Sequence, residues 1–518
     1  MPEISIELSR FTFCGHFPRR GGKTGLIEGK PAPSPRKLRY VLRSTLIYAP
    51  AILLTRLSSL LLLIVATRLI SQDEYGLLTL VVTVGELTDI AVTNWLRTAL
   101  LRLGGKGDVS RGSLLLAARV LVATTLVGLA VSVIASGIVV PERSAEFALA
   151  VCTYLVVGAI GRFALTVLQM QQRHFAYAML ESLRAALQLA LPIAAILVLP
   201  GTFLVMSLSS SLAALIAGLV AGYLAFGRTV AGPARFTQRE FFAFGVPLII
   251  MALVGFGLNS TERVFLKIYY DAGAVALFAA NYVLARQPID MIANAINMGA
   301  FPELMNRFDR DGPAAAGQYL SRLMALMLRL GLPVAALLIA LGDDITGLVL
   351  PPEYHGYALR LFPIIAFAVL CANTNNFVYG SMLLAHKRPW LLIIPDATGS
   401  VVTIGLSILI IPPLAEVGAA LALAGGMLAA LVTSIAISRR LTPVPVPWKD
   451  IAISIVIAVS TGAAAHFASG AFGDIWIVLR LAIGGSAGGL VFLVLNSVVY
   501  PRATLQLANK LRRRLTFA

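Results

Sequence analysis

Residues 56–80 read RLSSLLLLIVATRLISQDEYGLLTL. A long apolar run ends in the polar turn Ser71-Gln72-Asp73-Glu74, and a second apolar run begins a few residues later. The first run starts near residue 45 and is too long for a signal-peptide core of roughly 7–15 residues. It matches the ~20 residues a helix needs to cross a ~30 Å hydrocarbon layer. The stretch therefore predicts two membrane-crossing helices joined by a short turn. It also carries an anomaly, because Arg56 falls about eleven residues into the first run, near the middle of the bilayer.

The same alternation continues along the chain. Apolar runs fall near 45–70, 76–100, 114–139, 147–168, 177–199, 204–226, 242–266, 273–299, 319–341, 357–384, 391–411, 416–438, 451–469 and 475–499, which predicts fourteen spans. Composition agrees. Of 518 residues, 58% are hydrophobic and only 13% charged, where a soluble domain carries about 25% charged residues. The expected fold class is an all-α polytopic membrane protein with about fourteen transmembrane helices.

A net charge of +17 would suggest nucleic acid in a soluble protein. Here topology explains it and no nucleic-acid partner is expected. With both termini cytosolic, the loops predicted inside hold Arg102, Lys106, Arg111, Arg173, Arg228, Arg235, Arg239, Arg307, Arg310, Lys387, Arg388, Arg439, Arg440 and Lys449. Those predicted outside hold Arg143 and Lys267, with Asp73, Glu74, Asp343, Asp344 and Glu353. That asymmetry is the positive-inside pattern. Residues 1–43 are polar and basic and read as a disordered cytosolic tail, or else as the product of a start placed too far upstream. Residues 500–518, with NKLRRRL, read as a second basic cytosolic tail that meets anionic headgroups.

Several chemistries lack their signatures. Cys14, Cys152 and Cys371 have no metal-like spacing, the five histidines are scattered, and neither cofactor nor metal is expected. There is no GxxxxGK[ST] loop. No outer loop exceeds about fifteen residues, and none carries an acid pair placed to act on a sugar. The chain is not expected to be an enzyme.

The informative residues are charges at membrane depth. Arg56, Arg286 and Arg329 each fall about ten to thirteen residues into a span, at a cost of about 2.5–3.5 kcal/mol apiece if they faced lipid. They are candidate substrate-binding residues facing a water-filled cavity; structural pairing with neighbouring acids is the alternative. Arg286 and Asp290 share a helix face, and Pro288 between them predicts a kink. Glu86 and Asp89 form a second one-face pair. With Asp290 they are the ion-coupling candidates, and Glu86 and Asp89 are equally expected as counter-ions to Arg56. Arg97, Arg162 and Arg322 lie close enough to the cytosolic face to snorkel. Asn373-Thr374-Asn375-Asn376 could line the cavity or bridge helices, and GGSAGG (484–489) predicts close helix packing.

An internal repeat is faint: 66–80 aligns with 265–279 at an offset of 200, as long span, polar turn and small-residue helix start. Further stretches carry a family likeness: LQMQQRHFAYAMLESLRA (168–185), FFAFGVPLII (241–250), PPEYHGYALRLF (351–362) and IIPPLAEVGAALALAGG (410–426). With 56–80, they resemble polysaccharide flippases of the MOP superfamily, relatives of MATE exporters and lipid II flippases. The resemblance covers about residues 40–440. An acid–Arg pair late in span 7 reads Glu262-Arg263 here, with Glu for the usual Asp, and the Gly-aromatic that opens span 8 reads Ala276-Leu277-Phe278.

The resemblance implies two six-helix lobes around a central cavity: residues 44–226 and 227–440, with spans 13–14 (441–499) appended. It implies transfer of undecaprenyl-diphosphate-linked oligosaccharide across the bacterial inner membrane by alternating access, for surface polysaccharide synthesis. Partners would be that lipid-linked sugar, membrane lipid and, as candidates, a polysaccharide polymerase and co-polymerase. Arg56 matches a basic position common in the family's first helix; Arg286 and Arg329 are assigned from depth alone. A MATE-like ion-coupled exporter and a non-transporting scaffold of the assembly machinery are the alternatives.

Overall fold

The structure, a computed structural model, describes residues 54–105, 109–471 and 476–501, all within one unit, Ile47–Ala518. The tail at 1–43, the basic run after residue 501, Cys14 and Lys106 lie outside the described residues. Within them there is no strand, only an isolated bridge between Ser110 and Val230.

Among the described residues fourteen long helices follow one another, with the shorter helices Thr261–Tyr269 and Gly342–Val349 between them. The long ones are α1 (54–69), α2 (Gln72–Leu103), α3 (Arg111–Val139), α4 (Ser144–Met170), α5 (His174–Val198), α6 (Phe203–Phe226) and α7 (Gln238–Asn259), then α8 (272–311), α9 (313–340), α10 (Ala358–Ala385), α11 (393–414), α12 (416–441), α13 (Trp448–Gly470) and α14 (Ile477–Val499). Among the described residues, eleven continuous helical stretches are long and apolar enough to cross a membrane. Two of these fold back on themselves, and α1 completes the fourteen.

Both reversals are visible in the backbone. Between α8 and α9, Gly312 takes φ 84 and ψ 173, a region only glycine adopts freely. The Tyr319 hydroxyl then donates to the Ala300 carbonyl at 3.3 Å. In a continuous helix residues nineteen apart would stand about 28 Å apart. Both helices run beyond the apolar limits of 299 and 319, because past the membrane they are carried by polar turns such as the Arg307–Glu303 pair at 2.7 Å. Between α11 and α12, Ala415 makes the turn at φ 45 and ψ −123, and Gly418 returns against the Ile410 carbonyl.

The offset-200 repeat appears in the helix starts. Ser71 caps α2 by accepting from the Glu74 amide at 3.4 Å, and Asp271 caps α8 by accepting from the Ala274 amide at 2.8 Å. Helix α2 thus begins four residues before its apolar run, with Asp73 and Glu74 in the favourable first turn. The two starts meet. The Gln72 side chain donates to the Gly273 carbonyl at 3.0 Å, and a β-carbon on Gly76 would stand 1.8 Å from the Ala272 carbonyl oxygen.

Helix ends sort by charge as the loops predict. At the acidic end Glu74 bonds both Arg143 and the Phe203 amide, Lys267 lies 3.6 Å from Glu142, and the Tyr270 hydroxyl donates to the Pro412 carbonyl at 2.6 Å. Two further cations sit here that the hydropathy count assigned to spans: Arg68 donates to the Leu348 carbonyl, and Arg480 pairs with Asp344. At the basic end the loop before α3 meets the loop after α6, with the Arg111 amide donating to the Val230 carbonyl at 2.9 Å.

Apolar packing differs between the ends. One large core at the acidic end combines α1, α2, α4 and α6 with α8, α10 and α12. At the basic end there are two cores. One joins α2–α4 and α6 to the start of α7, where Phe241 and Phe242 flank Trp95; the other joins α8, α9 and α10. The helices are packed across the whole molecule at one end and in two groups at the other.

Two substitutions test this account. Ala415→Gly removes a positive-φ side chain and should stabilise the protein by about 1 kcal/mol, seen as a higher unfolding temperature in detergent. Gly76→Ala drives a methyl into the Ala272 carbonyl and should destabilise by at least ~1–3 kcal/mol in the same measurement.

Candidate functional site

Two cavities between the helices gather most of the charges singled out at membrane depth. The smaller, about 200 Å³, is lined by Arg56 of α1, Arg286 and Asp290 of α8, and Asn373 and Asn376 of α10. Helix α8 keeps helical backbone angles through Pro288, the first non-helical residue being Gly312 just past its end, so the one-turn spacing of Arg286 and Asp290 is preserved. Arg286 Nε meets Asp290 Oδ2 at 2.7 Å, and its Nη1 donates to the Tyr282 hydroxyl at 2.5 Å. Asp290 Oδ1 accepts from Asn373 Nδ2 at 3.0 Å. The carboxylate is thereby used on both oxygens, while the guanidinium keeps N–H groups to spare and 40% of its side chain exposed. Arg56 is exposed to the same cavity, with no carboxylate of the described residues within salt-bridge reach.

Tyr282 was not apparent as a site residue, although its position one turn before Arg286 was the available signal. Its ring lies 5.4 Å from the Arg286 guanidinium and 5.3 Å from that of Arg263. Glu262, the acid of the Glu262-Arg263 pair, is fully buried. Arg263 Nε stands 3.9 Å away, and neither carboxylate oxygen accepts a hydrogen bond.

The larger cavity, about 440 Å³, lies among α1, α2, α4, α5 and α6. Asp89 organises its wall. Arg162 Nη2 meets one carboxylate oxygen at 2.8 Å and Arg97 Nη2 the other at 3.0 Å, and the Thr93 hydroxyl also contacts Asp89. Helix α2 makes a π turn over Ile90–Asn94, directly between the acid and Arg97. The counter-ions of Asp89 are therefore Arg97 and Arg162, not Arg56. Snorkelling was the expectation for both arginines, and a carboxylate within reach removes the need to stretch to the interface. A second wall pair, Glu181–Arg184 at 2.6 Å, extends to Gln188 at 2.8 Å. Glu86 faces this cavity as an exposed side chain with no ion pair among the described residues.

Of the six singled-out residues, Arg56, Arg286 and Asp290 share one cavity, Glu86 lines the other, Asp89 stands behind its wall through Arg97 and Arg162, and Arg329 joins neither. Arg329 Nε donates to the Asn496 side-chain oxygen, and its guanidinium covers the Tyr500 ring at 3.6 Å. It lies level with the basic end of α13 and α14, where Tyr500 also bonds Asp450. Asn496 and Tyr500 stand at the C-terminal end of α14, so Arg329 packs against helix ends and away from both cavities.

Residues 41–306, just over half of the chain, match the family described as polysaccharide biosynthesis protein. No curated protein matches the chain. Among solved structures, the chain is similar to the lipid II flippase MurJ in an inward-closed conformation. That alignment has 14% identity and a TM-score of 0.66, over 88% of this chain and 99% of that one. An inward-facing multidrug resistance MATE family transporter of the MOP superfamily aligns with 13% identity and a TM-score of 0.52, over 75% of this chain and 94% of its own. A MOP superfamily transporter from Pyrococcus furiosus, described as having a binding pocket of reversed polarity, gives 13% and 0.52, over 77% and 95%. At such identities the likeness carries the fold, an all-α polytopic architecture of MOP type.

The two acids should respond differently to neutralisation. Asp89→Asn strands two arginines and should cost about 3 kcal/mol, the low end for a broken buried pair because both keep access to the cavity. Asp290→Asn leaves Arg286 its Tyr282 hydroxyl and its exposure, and should cost about 1 kcal/mol or less. Unfolding of the two variants side by side in detergent checks the order.

Proposed function

The chain belongs to the polysaccharide biosynthesis protein family, and from that premise we propose that it flips polyprenyl-diphosphate-linked oligosaccharide across the bacterial inner membrane for surface polysaccharide assembly. The observation that carries this reading is the convergence of Arg56 and Arg286 on one cavity, from α1 and α8. A diphosphate needs cations with free N–H groups in a low-dielectric setting. Arg286 keeps such groups because Asp290 occupies only its Nε, and Arg56 has no acid to satisfy it. Asp290 and Asn373 hold Arg286 in place while the site is empty.

In this reading the basic end faces the cytosol, as the positive-inside rule requires. The groups 44–226 and 227–440 rock about their shared core at the acidic end, giving alternating access, while α13 and α14 are carried along. The polyprenyl tail stays in lipid. Asp89 and Asp290 act as counter-ions, since each already bonds an arginine, and Glu86 is the coupling carboxylate if the cycle uses an ion. An exporter of cations would need an uncommitted carboxylate at the Arg56–Arg286 cavity, and Asp290 there is already spent on Arg286 and Asn373.

The test is chemical. A strain lacking the gene should accumulate lipid-linked oligosaccharide and lose surface polysaccharide. Wild type should repair both, Arg286→Lys partly, and a well-expressed Arg286→Ala about tenfold less or worse, the worth of one charge-assisted hydrogen bond. No accumulation in the deletion strain would sink the flippase reading. Normal traffic with Arg56 and Arg286 both replaced would favour a scaffold.

A further inference from the structure

The larger cavity has a feature that ion pairing does not explain. Many hydroxyls in these helices bond back to a carbonyl one turn earlier. Ser59 does so to Thr55 at 2.9 Å, Ser182 to Ala178 at 2.9 Å and Ser209 to Val205 at 2.6 Å. Four serines on the cavity wall do not. Ser58 of α1 and Ser207, Ser210 and Ser211 of α6 line the space, and their hydroxyls make no hydrogen bond to protein among the described residues. The Gln188 side-chain amide contributes its oxygen to Arg184 and keeps both N–H donors.

Apart from Glu86, the charges around these groups are closed on one another. Asp89 holds Arg97 and Arg162, Glu181 holds Arg184, and Glu86 adds one more carboxylate, giving three acids against three arginines. Such a wall exerts little net field and cannot select an anion or a cation strongly. What it offers is a dense set of unpartnered neutral donors and acceptors, in a volume within the roughly 300–1,000 Å³ of small-molecule sites. The ligand class that both donates and accepts at nearly every carbon without charge is a sugar.

Its position fits. On α1, Thr55, Ser58, Ser59 and Leu62 line this cavity at one-turn spacing, and Arg56 stands one turn before Ser59 at the edge of the same face. The wall that presents hydroxyls to one cavity thus presents its guanidinium to the other. We propose that the α1–α6 cavity is a glycan subsite: it takes uncharged sugar units of the lipid-linked substrate through Ser58, Ser207, Ser210, Ser211, Gln188 and Glu86, while the diphosphate sits at Arg56 and Arg286. This rests on the flippase reading and extends it to the sugar.

The experiment compares two probes on the full chain in lipid nanodiscs: bare undecaprenyl diphosphate, and the same carrier bearing the oligosaccharide isolated from the deletion strain. The readout is the ratio of their affinities. Wild type should favour the glycan-bearing carrier by about tenfold or more, the sum of two or more net hydrogen bonds. The mild double variant Ser207→Ala/Ser211→Ala should bring the ratio close to one, and so should Ser211→Trp, which fills the space. Arg286→Ala should weaken both probes and preserve the ratio. A wild-type ratio of one, or a ratio unmoved by both serine variants, overturns the glycan subsite and leaves the flippase reading standing. Failure of wild type to bind either probe overturns the flippase reading, and the subsite with it.

Discussion

Hydrocarbon offers no hydrogen bond, and nearly every feature of the molecule follows from that. Backbone groups must be satisfied within each segment, so the described chain is helix after helix. Charges cannot be left to lipid, so each arginine at depth either meets a carboxylate or faces a cavity. Asp89 between Arg97 and Arg162 is the first solution; Arg56 is the second. Arg286 combines them, held by Asp290 yet open to solvent. The polar interior is therefore a requirement of the charges as much as a place for a ligand.

The uneven distribution of apolar packing decides where such interiors can exist. At the acidic end Gly76 lies against the Ala272 backbone, and one core runs through both groups of helices. At the basic end the cores separate, with only the start of α7 reaching across to Trp95. Where the two groups part, helix faces that lipid does not cover must be polar. Both π turns occur in helices that carry such faces, at Ile90–Asn94 beside Asp89 and at Asn375–Gly380 beside Asn373. A π turn re-aims the side chains that follow it, which lets a helix pack apolar residues on one level and present polar ones on the next.

Much of this was legible in one dimension, because hydropathy and loop charge report directly on the solvent each residue meets. The span count, the charge difference between ends, the pairing of Arg286 with Asp290 and the repeat offset, now seen as caps at Ser71 and Asp271, all have local causes. What was not legible depends on which helices touch. Arg162 lies on α4 and Asp89 on α2, so no spacing rule could join them. The partners of Arg329 were hidden for a related reason: Asn496 and Tyr500 lie at the end of α14, which no spacing rule relates to α9. Arg480 and Arg68 were hidden inside apolar runs, yet the fold brings them to Asp344 and to the Leu348 carbonyl at the acidic end.

The contrast between the two cavities bears on how one site can hold a molecule with a charged centre and a neutral arm. A single cavity rich in free arginine would bind the diphosphate tightly and leave sugar hydroxyls competing with guanidinium water shells. A neutral one would hold sugars but make entry of the diphosphate prohibitive at low dielectric. Dividing the work puts two guanidiniums against one engaged carboxylate on one side of α1, and balanced pairs with free hydroxyls on the other. Under the proposed function binding at each would then be moderate, as release requires, since a headgroup gripped as tightly in one leaflet as in the other would not leave. Because α1 forms both walls, any tilt of that helix alters the two cavities together, so under the proposed function the charged and neutral parts of a lipid-linked sugar would be released in the same movement.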